Sequence, residues 1–160
     1  MSDFSHIDRD NQPTMVDISG KTTTHRTAVA QSIVQLDENI LSQLSGGDIK
    51  SRKGPVFQTA IVAGVMAAKK TSDLIPLCHP LPLTNCKISI EPIENQQVQV
   101  TCSVSTDHKT GVEMEALTGA SVASLTLYDM CKALSHHIRI LDTRLLSKEG
   151  GKKDFKAEAE

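Results

Sequence analysis

Three features of the sequence predict an α+β fold in which an antiparallel sheet carries helices on one face. Segments 24–36, 86–93 and 98–105 alternate apolar and polar residues at the two-residue period of a half-buried strand, and 138–142 does so more briefly. Segments 56–70 and 111–134 repeat apolar residues at the helical period of about 3.6. With a short helix after Asp37, the order along the chain is β-α-α-β-β-α-β. That is the order of a ferredoxin-like sandwich with one extra short helix.

Each element has its own local reason. Residues 1–20 hold Pro13, Gly20 and one apolar cluster at 15–18, and read as an arm that docks on a neighbouring subunit. In 24–36, Ala28, Ala30, Ser32, Val34 and Leu36 share one side, and Thr27, Val29, Gln31, Ile33 and Gln35 the other. Asp37 is placed as an N-cap for a helix through Leu44, stopped by Gly46 and Gly47. Pro55 stands where a first helical position belongs, and Phe57, Ile61, Gly64, Val65 and Ala68 then form an apolar face. Residues 72–85 carry Pro76, Pro80 and Pro82, which stiffen an unusually apolar loop. Residues 94–97 connect 86–93 to 98–105 as a hairpin. In 111–134, Ala116, Ala120, Ala123, Leu127, Met130 and Leu134 form a core stripe. A second stripe holds Glu115, Thr118, Val122, Leu125, Asp129, Lys132 and His136. The tail, 148–160, reads as flexible and mixed in charge.

At 160 residues the chain suits a single domain, 1–160. A net charge of -2 leaves no global positive field for a polyanion, and 2% aromatic residues leave few stacking platforms, so nucleic acid is an unsuitable ligand. No apolar run approaches about 18 residues, and the N-terminal MSDFSHIDRD resembles neither a signal nor a transit peptide. The expectation is a cytoplasmic protein without a membrane partner. Cys78, Cys86, Cys102 and Cys131 form no C-x-x-C pair and read as reduced thiols, without a metal site.

Several ionisable residues stand where chemistry is possible, each beside a plainer reading. Asp129 and Lys132 at (i, i+3) touch on a helix surface, as any exposed ion pair would. Lys53 precedes a helix N-terminus, where free N–H groups favour an anion, and is otherwise a loop lysine. His79 sits in the rigid loop between Cys78 and Pro80, a position that also suits a structural imidazole. Lys69 and Lys70 complement a helix dipole. Glu115 and Asp129 lie fourteen residues apart, about 21 Å along one helix. One small substrate cannot reach both within one chain.

The segments MVDIS at 15–19, KGPVF at 53–57, AAKKTSDLIPLCHPLPL at 67–83, TGVEMEAL at 110–117 and LYDMCKA at 127–133 together resemble the MoaC family, the cyclic pyranopterin monophosphate synthases of molybdenum cofactor biosynthesis. The resemblance implies a ferredoxin-like subunit in a hexamer, a trimer of dimers, with sites between subunits. The implied substrate is (8S)-3′,8-cyclo-7,8-dihydroguanosine 5′-triphosphate, made by a radical-SAM GTP cyclase and rearranged to cyclic pyranopterin monophosphate with release of pyrophosphate. No cofactor is implied. Carried over by position, the implied catalytic residues are Lys53, Asp129 and Lys132, and the substrate-binding residues His79, Glu113, Glu115, Cys78 and Met114. Arg26, Lys69, Lys148 and Lys152 match the phosphate-side cations. Where the family pattern has KSGGKSGDF, this chain places Glu149 and Lys153, and Ser72 stands at a common Trp position. The helical distance adds an expectation: Asp129 and Lys132 should meet Glu113, Glu115, Lys53 and His79 of a neighbouring copy.

Overall fold

Alternating residues in four long strands build the frame. The computed structural model describes residues 6–8 and 10–158, so parts of the expected arm and tail, 1–5, 9 and 159–160, lie outside the described residues. The main sheet contains β1 (Thr24–Gln35), β5 (Asn85–Ile93), β6 (Gln97–His108), β7 (Arg139–Glu149) and the short β8 (Phe155–Lys156). Its order is β5-β6-β1-β7-β8 and every pairing is antiparallel. The four long strands thus follow the ferredoxin-like order. Helices α2 (Val56–Ala68) and α4 (Glu113–Cys131) cover one face, with short helices α1 (Glu38–Leu41) and α3 (Thr71–Leu74) beside them.

Period-two alternation decides which face is covered. Ala28, Ala30, Val34 and Leu36 point into the core together with Val98, Val100, Cys102 and Val104 of β6. The helices contribute Phe57, Ala60, Ala116, Ala120, Ala123, Leu127 and Met130. The opposite sheet face carries Gln31, Gln35, Gln97, Gln99, Thr101, Ser103 and Ser105. Some of these bond to one another or to neighbours: Gln97 Nε2 donates to Gln35 Oε1 at 3.1 Å and Gln31 Nε2 to Asp142 at 3.0 Å. A polar face of this kind can stand in water.

Small residues set the helix spacing. A Cβ on Gly64 would lie 2.8 Å from the Gly119 carbonyl oxygen, and one on Gly119 would lie 2.6 Å from Cys102 Sγ. Helices α2 and α4 therefore touch backbone to backbone. They run in opposite directions, because Gly64 neighbours Ala123 whereas Gly119 neighbours Ala68. The start of α2 consequently lies beside the end of α4.

Four local expectations are corrected. Helix α1 is one turn, ending at Leu41, and Asp37 makes no side-chain cap. Gly46 and Gly47 do not stop a helix: with φ of 62° and 82° they are the two-residue turn joining β2 (Leu44–Ser45) to β3 (Asp48–Ser51). Leu134 lies past the end of α4 and is 43% exposed, so it is not core. The tail is not free from residue 148 onward. Strand β7 runs through Glu149, and Phe155 and Lys156 fold back to pair with Lys148 and Ser147. The Asp154 carboxylate holds that return by accepting the Gly150 N–H at 3.1 Å.

Among the described residues no helix is long and apolar enough to cross a membrane. The close helix contact is testable. Gly64→Ala should destabilise the chain by about 1–3 kcal/mol in urea unfolding, the range for overpacking a tight core. An unchanged midpoint would contradict the backbone contact.

Candidate active site

The C-terminal half of the site is built by a hairpin and a helix end. Lys50 pairs with Pro55 and Ser51 with Gly54, so Arg52 and Lys53 form the tip between β3 and β4 (Gly54–Pro55). Ser51 Oγ accepts the Lys53 N–H at 3.1 Å and donates to the Gly54 carbonyl at 3.0 Å. The tip carries Lys53 to the last turn of α4. There Lys53 Nζ donates to Asp129 Oδ2 at 2.8 Å, and Lys132 Nζ lies 2.7 Å from Asp129 Oδ1. One carboxylate bridges two ammonium groups.

The electrostatics follow from that geometry. Hydrogen bonds from Lys132 and then Lys53 hold the Asp129 carboxyl down at about 2. The same bond to Asp129 pushes the Lys132 ammonium above its ordinary value. Lys132 is therefore kept as a proton donor in the single chain, and it is not tuned toward neutrality by its neighbour. All three side chains are about half exposed, so the pairs contribute little to stability. The cavity around them, about 560 Å³, adds Lys50 and Arg52 and an apolar wall of Met130, Ala133 and Leu134.

Two sequence expectations change here. Lys53 meets Asp129 within its own chain, not across to a neighbour, because antiparallel packing brings the entry of α2 to the exit of α4. Two of the N–H groups opening α2 are not available to an external anion either. The Asp48 carboxylate takes them, accepting Phe57 N–H at 2.7 Å and Gln58 N–H at 3.1 Å.

The other half stands at the N-terminus of α4. Glu115 is only 4% exposed, and burial, reinforced by the charge of Glu113, pushes its carboxyl up to about 7. Cys78 is nearby: burial first, and then Glu115, raise its thiol. His79, Cys78, Leu77, Leu81, Met114 and Glu115 line one cavity of about 280 Å³. A second, of about 240 Å³, shares Gly111 and Glu113 with it and is lined by Arg26, Lys148, Lys152 and Lys153. Lys148 Nζ bonds Glu113 at 2.7 Å, and Arg26 Nε donates to the His108 carbonyl at 3.1 Å. Arg26, Lys152 and Lys153 are left to face an anion, opposed by Glu149.

The ten family-matched residues other than Lys53 and Lys69 thus divide cleanly between the two ends of α4. Lys69 is exposed at the C-cap of α2 and lines neither the His79 nor the Arg26 cavity, although its charge reaches Cys86. Lys50 and Arg52 were missed, since a lone basic residue in a loop has no periodic signal. Among the described residues no group of three or more His, Cys, Asp or Glu is placed to hold a metal ion.

Fold and site together define a ferredoxin-like α+β protein with acid–base groups at one end of a helix and, at the other, a buried carboxyl beside an anion-sized basic cleft. A family model described as MoaC family matches residues 15–151, and the chain belongs to that family. It is 52% identical over 154 residues to a cyclic pyranopterin monophosphate synthase of Xanthomonas campestris pv. campestris, covering 96% of this chain and 93% of that protein. It is 55% identical over 168 residues to molybdenum cofactor biosynthesis protein 1 of Dictyostelium discoideum, covering 94% of this chain but only 27% of that longer protein. A molybdenum cofactor biosynthesis bifunctional protein of Synechocystis is 54% identical, with 45% of its length covered.

The raised Glu115 carboxyl has a consequence for stability. Its folded-state pKa of about 7 lies above the ordinary 4.5, so the folded chain retains a proton that the unfolded chain has lost. Stability should fall as pH rises through that window, by up to about 3 kcal/mol from this group. Melting curves at pH 5 and pH 8 should show a larger loss for the wild type than for Glu115→Gln. Parallel losses in both would contradict a buried, protonated Glu115.

Proposed function

We propose that the chain is the subunit of a cytoplasmic cyclic pyranopterin monophosphate synthase. It converts (8S)-3′,8-cyclo-7,8-dihydroguanosine 5′-triphosphate to cyclic pyranopterin monophosphate and releases pyrophosphate. A radical-SAM GTP cyclase supplies the substrate. The observation that carries this reading is 52% identity over nearly the full length of a protein of that name, together with the paired Lys53, Asp129 and Lys132 at family-matched positions.

The chemistry suits the residues. Opening a purine imidazole ring and closing a pterin ring move protons without net oxidation, which positioned side chains can do. Lys132, held as an ammonium by Asp129, donates a proton, and Lys53 shares the same carboxylate and completes the acid–base set. Glu115, titrating near neutrality, can give and regain a proton beside the guanine-derived ring, with His79, Cys78, Met114 and Glu113 shaping that pocket. Forming the cyclic phosphate requires an internal hydroxyl to attack phosphorus as pyrophosphate leaves. Arg26, Lys148 and Lys152 stand where they can neutralise that leaving group, and Lys69 adds charge at the same end of the helix layer.

About 21 Å of α4 separates the two halves. The proposal therefore includes assembly: one copy contributes Lys53, Asp129 and Lys132, and another contributes the His79 and Arg26 side. A hexamer built as a trimer of dimers satisfies this. Exposed Val62 and Met66 on α2 and Leu125 on α4 give the helix layer an apolar outer surface suited to such contacts.

Turnover decides the reading. Supplied with the cyclised triphosphate, the wild type should release pyrophosphate and a pterin. Lys53→Ala and Lys132→Ala should each lose at least about 10²-fold in kcat, the low end for a general acid or base. Substrate binding without turnover by the wild type would contradict the proposal.

A further inference from the structure

We infer that Asp48 is a positioning residue for Lys53, tying the β3–β4 hairpin to the first turn of α2 so that the lysine at the hairpin tip meets Asp129. This rests on the assignment of Lys53 to the acid–base set. The observations are local. Asp48 opens β3, and its carboxylate accepts three backbone N–H groups: those of Ile49 at 2.6 Å, Phe57 at 2.7 Å and Gln58 at 3.1 Å. A helix normally receives its cap from the residue just before it. Here that residue is Pro55, which has no side-chain acceptor, and α2 has no other side-chain cap.

The cap comes instead from across the hairpin, and its origin gives it a second role. Between the two points that Asp48 joins lie only residues 49–56, the loop that carries Lys50, Arg52 and Lys53. The strands flanking the tip are short, with β4 only two residues long, so few ladder bonds fix its direction. Asp48 at its base and Ser51 inside it set where the tip points. The Lys53 side chain is itself 56% exposed, and its Nζ bonds to the carboxylate and the carbonyl of Asp129. Asp48 also lies within electrostatic reach of the end of α4, since burial and then the Asp48 charge push the Cys131 thiol up to about 11. The same carboxylate therefore anchors the base of the loop whose tip reaches Asp129.

A cap alone would stabilise α2, whereas a tether would also position Lys53, and the two roles separate by rescue. Asp48→Ala should lower both melting temperature and kcat, the latter about 10- to 100-fold, with KM changed less than about twofold. Adding Pro55→Asp restores a conventional N-cap without reconnecting the hairpin. It should recover the melting temperature and leave kcat low. Lys53→Ala and the Asp48→Ala/Lys53→Ala double variant should have equal kcat, because a residue acting through Lys53 has nothing further to remove. Lysine side-chain NMR reads the same point without turnover: Asp48→Ala should abolish the Lys53 Nζ–Asp129 pair and preserve that of Lys132. Recovery of kcat by Pro55→Asp, multiplicative losses in the double variant, or an intact Lys53 pair in Asp48→Ala would each overturn the inference. Absence of turnover in the wild type would instead overturn the activity, leaving the NMR result to judge Asp48.

Discussion

The backbone contact between α2 and α4 at Gly64 and Gly119 decides which residues can share a site. With no side chain between them the two helices pass close and in opposite directions, and each end of the pair gathers what the neighbouring loops deliver. At one end, the hairpin before α2 meets the last turn of α4 and joins Lys53 to Asp129 and Lys132. At the other, the proline-rich loop after α3 meets the first turn of α4 and brings Cys78 and His79 to Glu115. The sheet beneath does the remaining work. Because β7 pairs with β1, Lys148 and the loop behind it come to lie beside Arg26.

The two ends differ in the physics that tunes them. At the exposed end, charge pairing dominates: one carboxylate holds two ammonium groups and is itself held ionised. Solvent screens these pairs, so they orient groups more than they stabilise the fold. At the Glu115 end, burial dominates, and a carboxyl almost wholly shielded from solvent keeps its proton close to neutrality. Glu115 and Asp129 stand fourteen residues apart on α4, so the titrating carboxyl and the lysine–carboxylate cluster are two separate groups on one helix. Neither half alone combines a ring pocket, phosphate cations and paired lysines.

Much of this was legible from residue order. Long strands and helices leave clear periods, so β1, the β5–β6 hairpin, α2 and α4 were readable, and with them the ferredoxin-like order. The family motifs drew attention to Asp129 and Lys132, which the structure pairs with each other and with Lys53. What escaped were features too short to have a period. Strands β2, β3 and β4 span two to four residues each, and Gly46-Gly47 fits a helix stop as well as a hairpin turn. The α2 cap was unreadable because its donor of acceptors, Asp48, sits nine residues from Phe57 in sequence. For the same reason Lys53 was assigned to a neighbouring copy: only the tertiary packing of α2 on α4 shows that it reaches Asp129 at home.

On the proposed assembly, the two ends of α4 serve one substrate only when contributed by different copies. Subunit mixing tests it most directly. Lys53→Ala and Glu115→Ala chains, each inactive alone, are unfolded together, refolded as mixed assemblies and assayed for pyrophosphate release. Random pairing across isologous interfaces should restore about one quarter of wild-type activity, since that fraction of sites receives both intact halves. Mixed assemblies as inactive as their parents would contradict a site shared between subunits.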